Sequence, residues 1–237
     1  MLRRYLNLDS ELEPLNFTMK LDNKTLSRLF NGATHIGAWL PLIFLLIDHF
    51  TDDLTADPIR EITLRTGKTA LVLLILSLAV TPLMTWLDWK FLTPSRRPLG
   101  LYAFGYVCLH LLTFVYLDYG LQWAFIIEGI VEKRYALVGF TAWLLMIPLA
   151  ITSTKAAQKK MGKRWKSLHK LAYVSGILAI IHYVWLVKNA YTQPVLYGSI
   201  LFILLLARWQ PIKQRIIHLR QKLQKRARGR SLPTPQR

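Results

Sequence analysis

The chain has 237 residues, 53% of them hydrophobic, and a formal net charge of +18. Its mean hydropathy is +0.28, and its apolar segments approach the ~20 residues needed to cross a bilayer, which excludes a soluble globular fold. The single cysteine, Cys108, excludes a disulfide framework and a thiolate-held cluster. Residues 1–30 are polar, so no cleavable signal peptide is expected.

The apolar pattern predicts an all-α integral membrane protein with six spanning helices in residues 31–210. In chain order the helices are expected at residues 33–50, 69–87, 100–117, 135–152, 168–187 and 194–207. Residues 1–30 form a polar lead, and residues 211–237 form a basic tail that predicts an amphipathic helix on anionic membrane lipid. No internal repeat is recognised.

The distribution of basic residues determines the predicted topology. When the loops on alternate sides of the six helices are compared, 25 lysines and arginines fall on one side and six on the other. Loops rich in lysine and arginine stay in the cytoplasm, so both termini are expected to be cytoplasmic. The same distribution argues against a nucleic-acid partner, because the membrane topology already accounts for the position of the positive charges.

Two histidines lie inside predicted membrane helices, where an ionisable ring needs a partner. The helices that carry His110 and His182 both start on the predicted cytoplasmic side. His110 lies about ten residues and His182 about fourteen residues from that start, so their depths in the membrane agree within about one helical turn, ~5 Å. Two neutral imidazoles that face each other across a bundle can supply both axial ligands of a b-type haem. The alternative is hydrogen bonding of each ring to backbone or water.

Two further histidines are placed nearer the cytoplasmic side. His169 precedes His182 by thirteen residues, and because an ideal helix turns ~100° per residue, both rings cannot point inward from a straight helix. Either the helix is distorted, with Gly176 the expected place, or His169 serves a different site. His35, on the first helix, is expected to face His169 or to form an ordinary hydrogen bond between helices.

Basic residues also gather at the cytoplasmic helix ends. Arg96 and Arg97 precede the third helix, and Arg164 lies in the basic loop before the fifth. Positive-inside anchoring accounts for them without a ligand. The functional interpretation is that they pair with a haem propionate, a flavin phosphate or an acidic partner.

Several short stretches together carry a resemblance to a known family. They are RRPLGL at residues 96–101 ahead of His110, TST at 152–154, GKRWKSLH at 162–169, IHY at 181–183, ADP at 56–58 and TG at 66–67. Over about residues 31–210 the chain resembles the haem-binding membrane subunits of bacterial periplasmic methionine sulfoxide reductase systems. These subunits belong to the ferric-reductase-like transmembrane superfamily, whose six-helix bundle is the expected fold.

The resemblance implies a protein of the bacterial inner membrane that holds haem b and flavin mononucleotide (FMN). It implies electron delivery to a periplasmic, molybdenum-containing methionine sulfoxide reductase subunit that repairs oxidised envelope proteins. The family pattern maps His110, His182 and His169 onto the implicated histidines, with His169 a further candidate iron ligand. The wider superfamily often has a second histidine fourteen residues before the first on the third helix. Here that position is Arg96, which favours one haem plus flavin over two haems.

No nucleotide-binding motif is present, so reducing power is expected from a cytoplasmic flavin reductase or from quinol. The chain is then an electron-transfer subunit rather than a complete enzyme, and outer acids are expected to help position the acceptor: Asp52, Asp53, Asp57 and Glu61. Two other functions stay open. A histidine-relay, proton-coupled transporter predicts buried acids or broken helices at mid-depth, and a stand-alone ferric-reductase-like enzyme predicts a fused flavin and nucleotide domain.

Overall fold

The computed structural model describes residues 22–187, 190–211, 214–219 and 221–222. Within these residues the chain is helical and has no β-strand. The predictions for residues 1–21 of the lead and for the tail beyond residue 222 lie outside the described residues. Residues 214–219 are helical, and the amphipathic, lipid-bound character of the tail stays a prediction.

The helices follow one another with short connections. They are α1 (Asn23–Phe50), α2 (Pro58–Leu87), α3 (Arg96–Leu112), α4 (Trp123–Glu132), α5 (Arg134–Ile151), α6 (Lys155–Met161), α7 (Lys163–Leu168), α8 (Leu171–Leu186) and α9 (Thr192–Leu206). A 3-10 turn, Lys90–Ser95, leads into α3, and a π-helical turn, Thr113–Asp118, extends it. Five helical stretches in the described residues are long and apolar enough to cross a membrane. The sixth span stays a prediction, because α9 has 15 residues.

α2 begins earlier than the apolar pattern predicted. The expected start near residue 69 is wrong, since the helix starts at Pro58, where the ring fixes a helical φ and the missing N–H costs nothing. The Asp57 carboxylate caps the helix by accepting the Arg60 N–H at 3.1 Å. The apolar run therefore marks the part of the helix that can lie in lipid, not its first residue.

α4 occupies a segment in which the sequence predicted no spanning helix. Its buried residues are Ile126 and Gly129, and a Cβ at Gly129 would lie 2.5 Å from the Tyr119 hydroxyl oxygen. The same hydroxyl accepts a hydrogen bond from Lys133 Nζ at 2.8 Å, which raises the pKa of Lys133 above its ordinary value. These contacts hold α4 across the end of the bundle where α3 finishes and α5 starts.

Two helix pairs build the interior, with α2 packed along α3 and α5 along α8. Ala103 and Tyr106 of α3 lie in the main hydrophobic core together with Leu201 of α9. The Tyr106 hydroxyl also enters α1, where it donates to the Ala38 carbonyl at 2.7 Å and accepts from the Leu42 N–H at 3.1 Å. It thus contacts the N–H and the carbonyl that a regular helix would pair with each other, and it fixes α1 to α3.

Candidate functional site

The structure brings His110 of α3 and His182 of α8 together between the two helix pairs. Their ring centroids are 6.1 Å apart and their ring planes meet at 84°. Both histidines are partly buried, with α2 packed along α3 and α5 packed along α8. The pairing was the expected geometry, and the role of the pair as metal ligands stays a prediction.

Each ring is held by a backbone carbonyl of the neighbouring helix. His110 Nδ1 lies 2.9 Å from the Thr63 carbonyl oxygen, and His182 Nδ1 lies 2.7 Å from the Tyr135 carbonyl oxygen. A carbonyl oxygen can only accept, so Nδ1 carries the proton in each neutral ring and Nε2 keeps the lone pair. No hydrogen bond joins either Nε2 to the residues that the structure describes.

Glycines make room for this arrangement. A Cβ placed on Gly67 of α2 would lie 2.9 Å from His110 Nδ1, and one on Gly139 of α5 would lie 2.6 Å from His182 Nδ1. Neither distance is compatible with ordinary packing. Any other residue at these positions would push the ring away from the carbonyl that holds it.

The two halves of the site are repeats of one unit. Thr63, Gly67 and His110 recur 72 residues later as Tyr135, Gly139 and His182, and in both units 47 residues separate the carbonyl from the histidine. The identities shared at this offset along α2 and α5 are Gly67/Gly139, Thr69/Thr141, Ala70/Ala142, Leu73/Leu145 and Ile75/Ile147. The expectation of no internal repeat is therefore wrong. The identical residues are too few to be recognised in the sequence without the alignment that the histidine–carbonyl contacts provide.

The pair lies toward one end of the bundle. Tyr135 is the second residue of α5, and Thr63 is the sixth residue of α2. At about 1.5 Å of rise per residue, both carbonyls lie within roughly 10 Å of the start of their helices. By the predicted topology this is the outer end.

His169 belongs to a different part of the molecule. The helix breaks at His169 and Lys170, between α7 and α8, and the expected break at Gly176 is wrong because that glycine lies inside α8 against Leu201. The His169 ring stacks on Trp165 with centroids 3.9 Å apart. Its Nε2 lies 3.1 Å from the Thr152 hydroxyl, so His169 is anchored where α5 ends rather than beside His182.

His35 makes the ordinary interhelical contact that was one of its two expectations. Its Nδ1 lies 2.9 Å from the Tyr102 hydroxyl of α3, and the two rings pack edge to face. The other expectation, that it faces His169, is not met by this geometry.

The three candidate arginines stand at helix starts. Arg96 opens α3, where its carbonyl accepts a bond from the Ser77 hydroxyl at 2.9 Å, Arg97 follows it, and Arg164 lies in α7. All three side chains are exposed, and none forms an ion pair with any residue described. They are free to meet an anionic group at this end of the bundle.

Comparison with known proteins identifies the family. The profile of the family described as "Ferric reductase like transmembrane component" matches residues 66–180. Over 189 residues the chain is 42% identical to the protein-methionine-sulfoxide reductase heme-binding subunit MsrQ of Herminiimonas arsenicoxydans. The aligned region covers 77% of this chain and 87% of that protein. The chain belongs to the MsrQ family.

Two further MsrQ proteins support this relationship. The protein from Xanthomonas campestris pv. campestris is 48% identical over 155 residues, or 65% of this chain and 71% of the relative. The protein from Cronobacter sakazakii is 39% identical over 197 residues, or 83% and 98%. No solved structure matches the chain. Membership in the MsrQ family confirms an all-helical, ferric-reductase-like, multi-pass membrane protein.

In this MsrQ-family chain, most of the outer acids proposed to receive a partner already have internal contacts. Glu61 forms an ion pair with Arg65 at 3.3 Å and accepts the Thr55 N–H at 2.7 Å. Asp53 accepts from the Thr51 hydroxyl at 2.7 Å, and Asp57 caps α2. Asp52 is exposed, with a positive φ of 56°, and is the member of the set best placed to meet another protein.

Arg208 is a partly buried cation that the sequence pattern did not single out. It follows α9, donates to the Tyr173 hydroxyl of α8 and to the Leu78 carbonyl of α2, and packs over the Tyr173 ring 4.9 Å from its centroid. Its Nε is buried without a partner among the residues described. The sequence feature that could have revealed Arg208 is its position as a charged residue directly after the last apolar stretch. In the sequence analysis this arginine entered only the count of basic residues.

Proposed function

We propose that the protein is a membrane electron-transfer subunit, acting through FMN and haem b, for a periplasmic, molybdenum-dependent methionine sulfoxide reductase that repairs oxidised envelope proteins. The observation that carries this proposal is the pair formed by His110 and His182, whose Nε2 atoms both keep a free lone pair. The names of the MsrQ relatives, heme-binding subunits of a methionine sulfoxide reductase, agree with it.

The distance between the two rings suits a metal ion shared between them. Two imidazoles that bound one ion through Nε2 would have centroids roughly 6 Å apart, because each metal–nitrogen bond is about 2 Å and each nitrogen lies about 1 Å from its ring centre. The distance between the His110 and His182 centroids is 6.1 Å. His110 and His182 would hold a haem at this position, and the haem would supply one-electron chemistry. The carbonyls of Thr63 and Tyr135 orient the two rings, and the surrounding helices partly bury them.

The opposite end of the bundle suits electron uptake. Arg96, Arg97 and Arg164 offer exposed cations for a flavin phosphate or a haem propionate. His169 and Trp165 add a stacked pair of rings behind them. We assign FMN to this end, with a flavin reductase or quinol as donor and with His169 as a flavin-site residue. His35 is hydrogen-bonded to the Tyr102 hydroxyl and therefore supports the interface between α1 and α3 instead.

The alternative functions receive less support. A histidine proton relay would need acids at mid-depth, and in the described residues the acids lie in loops, in α4 or near helix ends: Asp22, Asp48, Asp52, Asp53, Asp57, Glu61, Asp88, Asp118, Glu128 and Glu132. The described residues also contain no fused nucleotide-binding domain of the kind that a stand-alone ferric-reductase-like enzyme would use.

An optical spectrum of the detergent-purified protein tests the proposal. The protein is expressed with added haem precursor, and spectra are taken oxidised and reduced. A low-spin b-type spectrum with about one haem per chain is expected, and reduction by a flavin reductase with FMN should precede electron delivery to the periplasmic subunit. A colourless preparation that stays colourless after haem addition would overturn the proposal.

A further inference from the structure

We propose that Gly67 and Gly139 are positioning residues that set the redox potential of the metal held between His110 and His182. They do so by letting each ring keep its Nδ1–H on a helix carbonyl. The inference rests on the proposed function, because it takes the two imidazoles as axial ligands.

The geometry of each unit follows from the helix. In a regular α-helix the carbonyls of Thr63 and Tyr135 accept the N–H of the residue four places on, which is the glycine in both units. The histidine uses the second lone pair of the same oxygen. A side chain on the glycine would stand where the ring approaches, with its Cβ less than 3.0 Å from Nδ1 in both units.

The two units are not equally tight. Gly139 leaves the smaller space, since its Cβ would lie 2.6 Å from His182 Nδ1, against 2.9 Å between Gly67 and His110. The hydrogen bond of His182 is also shorter, at 2.7 Å against 2.9 Å. In addition, the Thr66 hydroxyl lies 3.0 Å from the Thr63 carbonyl oxygen and competes for it. A substitution at Gly139 should therefore have the larger effect.

The direction of the effect follows from ligand chemistry. An imidazole that donates its Nδ1–H to a carbonyl becomes a more basic ligand at Nε2. A more basic ligand favours the ferric over the ferrous ion and so lowers the potential. When the ring is pushed off its carbonyl, this stabilisation is lost and the potential rises.

The main experiment compares three alanine variants of the full-length purified protein: G67A, G139A and the control G105A. Gly105 lies on α3, the helix of His110, and a Cβ there would meet nothing within 4 Å. In spectroelectrochemical titration we expect G139A to shift the one-electron equilibrium by about tenfold toward the reduced haem, a rise of ~59 mV. G67A should shift it less in the same direction, and G105A should leave it unchanged. Wild-type potentials in both G67A and G139A, with haem retained, would overturn the inference.

A second perturbation covers the case in which the alanine variants do not accumulate. Replacing His182 by Nδ1-methylhistidine removes the donor and keeps the Nε2 ligand, without altering the glycine. A rise in potential is expected, and an unchanged potential would refute the inference. If the wild-type protein lacks a low-spin haem spectrum, the proposed function itself fails. If it has that spectrum and only these shifts are missing, the positioning role alone is wrong.

Discussion

The two histidine rings inside the bundle have backbone partners rather than a buried counter-charge. His110 and His182 each donate Nδ1–H to a backbone carbonyl, so the buried N–H has a partner and the bundle needs no acid beside either ring. A neutral ring with a fixed tautomer is also the form that binds a metal. The same contact therefore supports the fold and would prepare each ring as a metal ligand.

The first prediction concerns these two ligands. His110→Ala and His182→Ala should each abolish the low-spin haem spectrum, because one remaining imidazole cannot hold a bis-histidine iron in that state. His49→Ala is the matched control, since His49 is exposed at the end of α1. Absorption and electron paramagnetic resonance spectra check the result. An unaltered spectrum and potential in either variant would remove that histidine from the pair.

The second prediction separates His169 from the pair. His169→Ala should retain most of the low-spin haem, because the ring is bound to Thr152 and Trp165 rather than to the His110–His182 site. Reduction by an FMN-dependent donor should slow by about tenfold or more if the ring positions the flavin. Stopped-flow reduction with a flavin reductase measures the rate, with dithionite reduction as a control. Loss of the haem in this variant would contradict the separation.

Among the helices, the sequence predicted the apolar cores well and their ends poorly. Hydropathy located the lipid-compatible part of α2, whereas Asp57 and Pro58 determine where the helix starts. The pairing of His110 with His182 was predictable because depth along a helix follows from residue count. The break before α8 was not, because it depends on the contacts of His169 with α5 and α7.

The third prediction concerns the attachment of α9, which depends on Arg208. Arg208→Met should lower the free energy of unfolding by roughly 1–3 kcal/mol, since the hydrogen bonds to Tyr173 and the Leu78 carbonyl are lost while the stem remains. Arg208→Lys should recover part of the loss, because an ammonium cannot reproduce the forked contact. Thermal unfolding in detergent measures both. Equal stability of all three proteins would show that the contact is not needed for packing.

At the scale of the whole molecule, the charge distribution and the off-centre histidine pair define a direction. The 25 to six split of basic residues predicts that the His169 end faces the cytoplasm, and the pair lies near the starts of α2 and α5. Electrons would then enter at the basic end and leave close to the outer surface. The residues that receive the partner could not be predicted from the sequence, because an ion pair, a hydrogen bond and a helix cap within the protein already engage Glu61, Asp53 and Asp57.

The fourth prediction tests that direction. Vesicles containing the protein in one known orientation should reduce an outer acceptor with a donor confined to the cytoplasmic side. The reverse arrangement should be slower by about tenfold or more, because a soluble flavin donor needs the basic end. Reporter fusions after Arg208 verify the orientation. Activity that requires donor and acceptor on the same side would exclude a transmembrane route.

The 72-residue repeat has a consequence for the biogenesis of the protein. Each repeat supplies one histidine, from α3 and then from α8, so an N-terminal fragment emerging from the ribosome would carry one of the two proposed metal ligands. The proposed centre would be complete only after the second repeat has been inserted and has packed against the first. Incorporation of the prosthetic group would then report that membrane insertion is finished, and truncated or mis-inserted chains would stay colourless and be exposed to quality control.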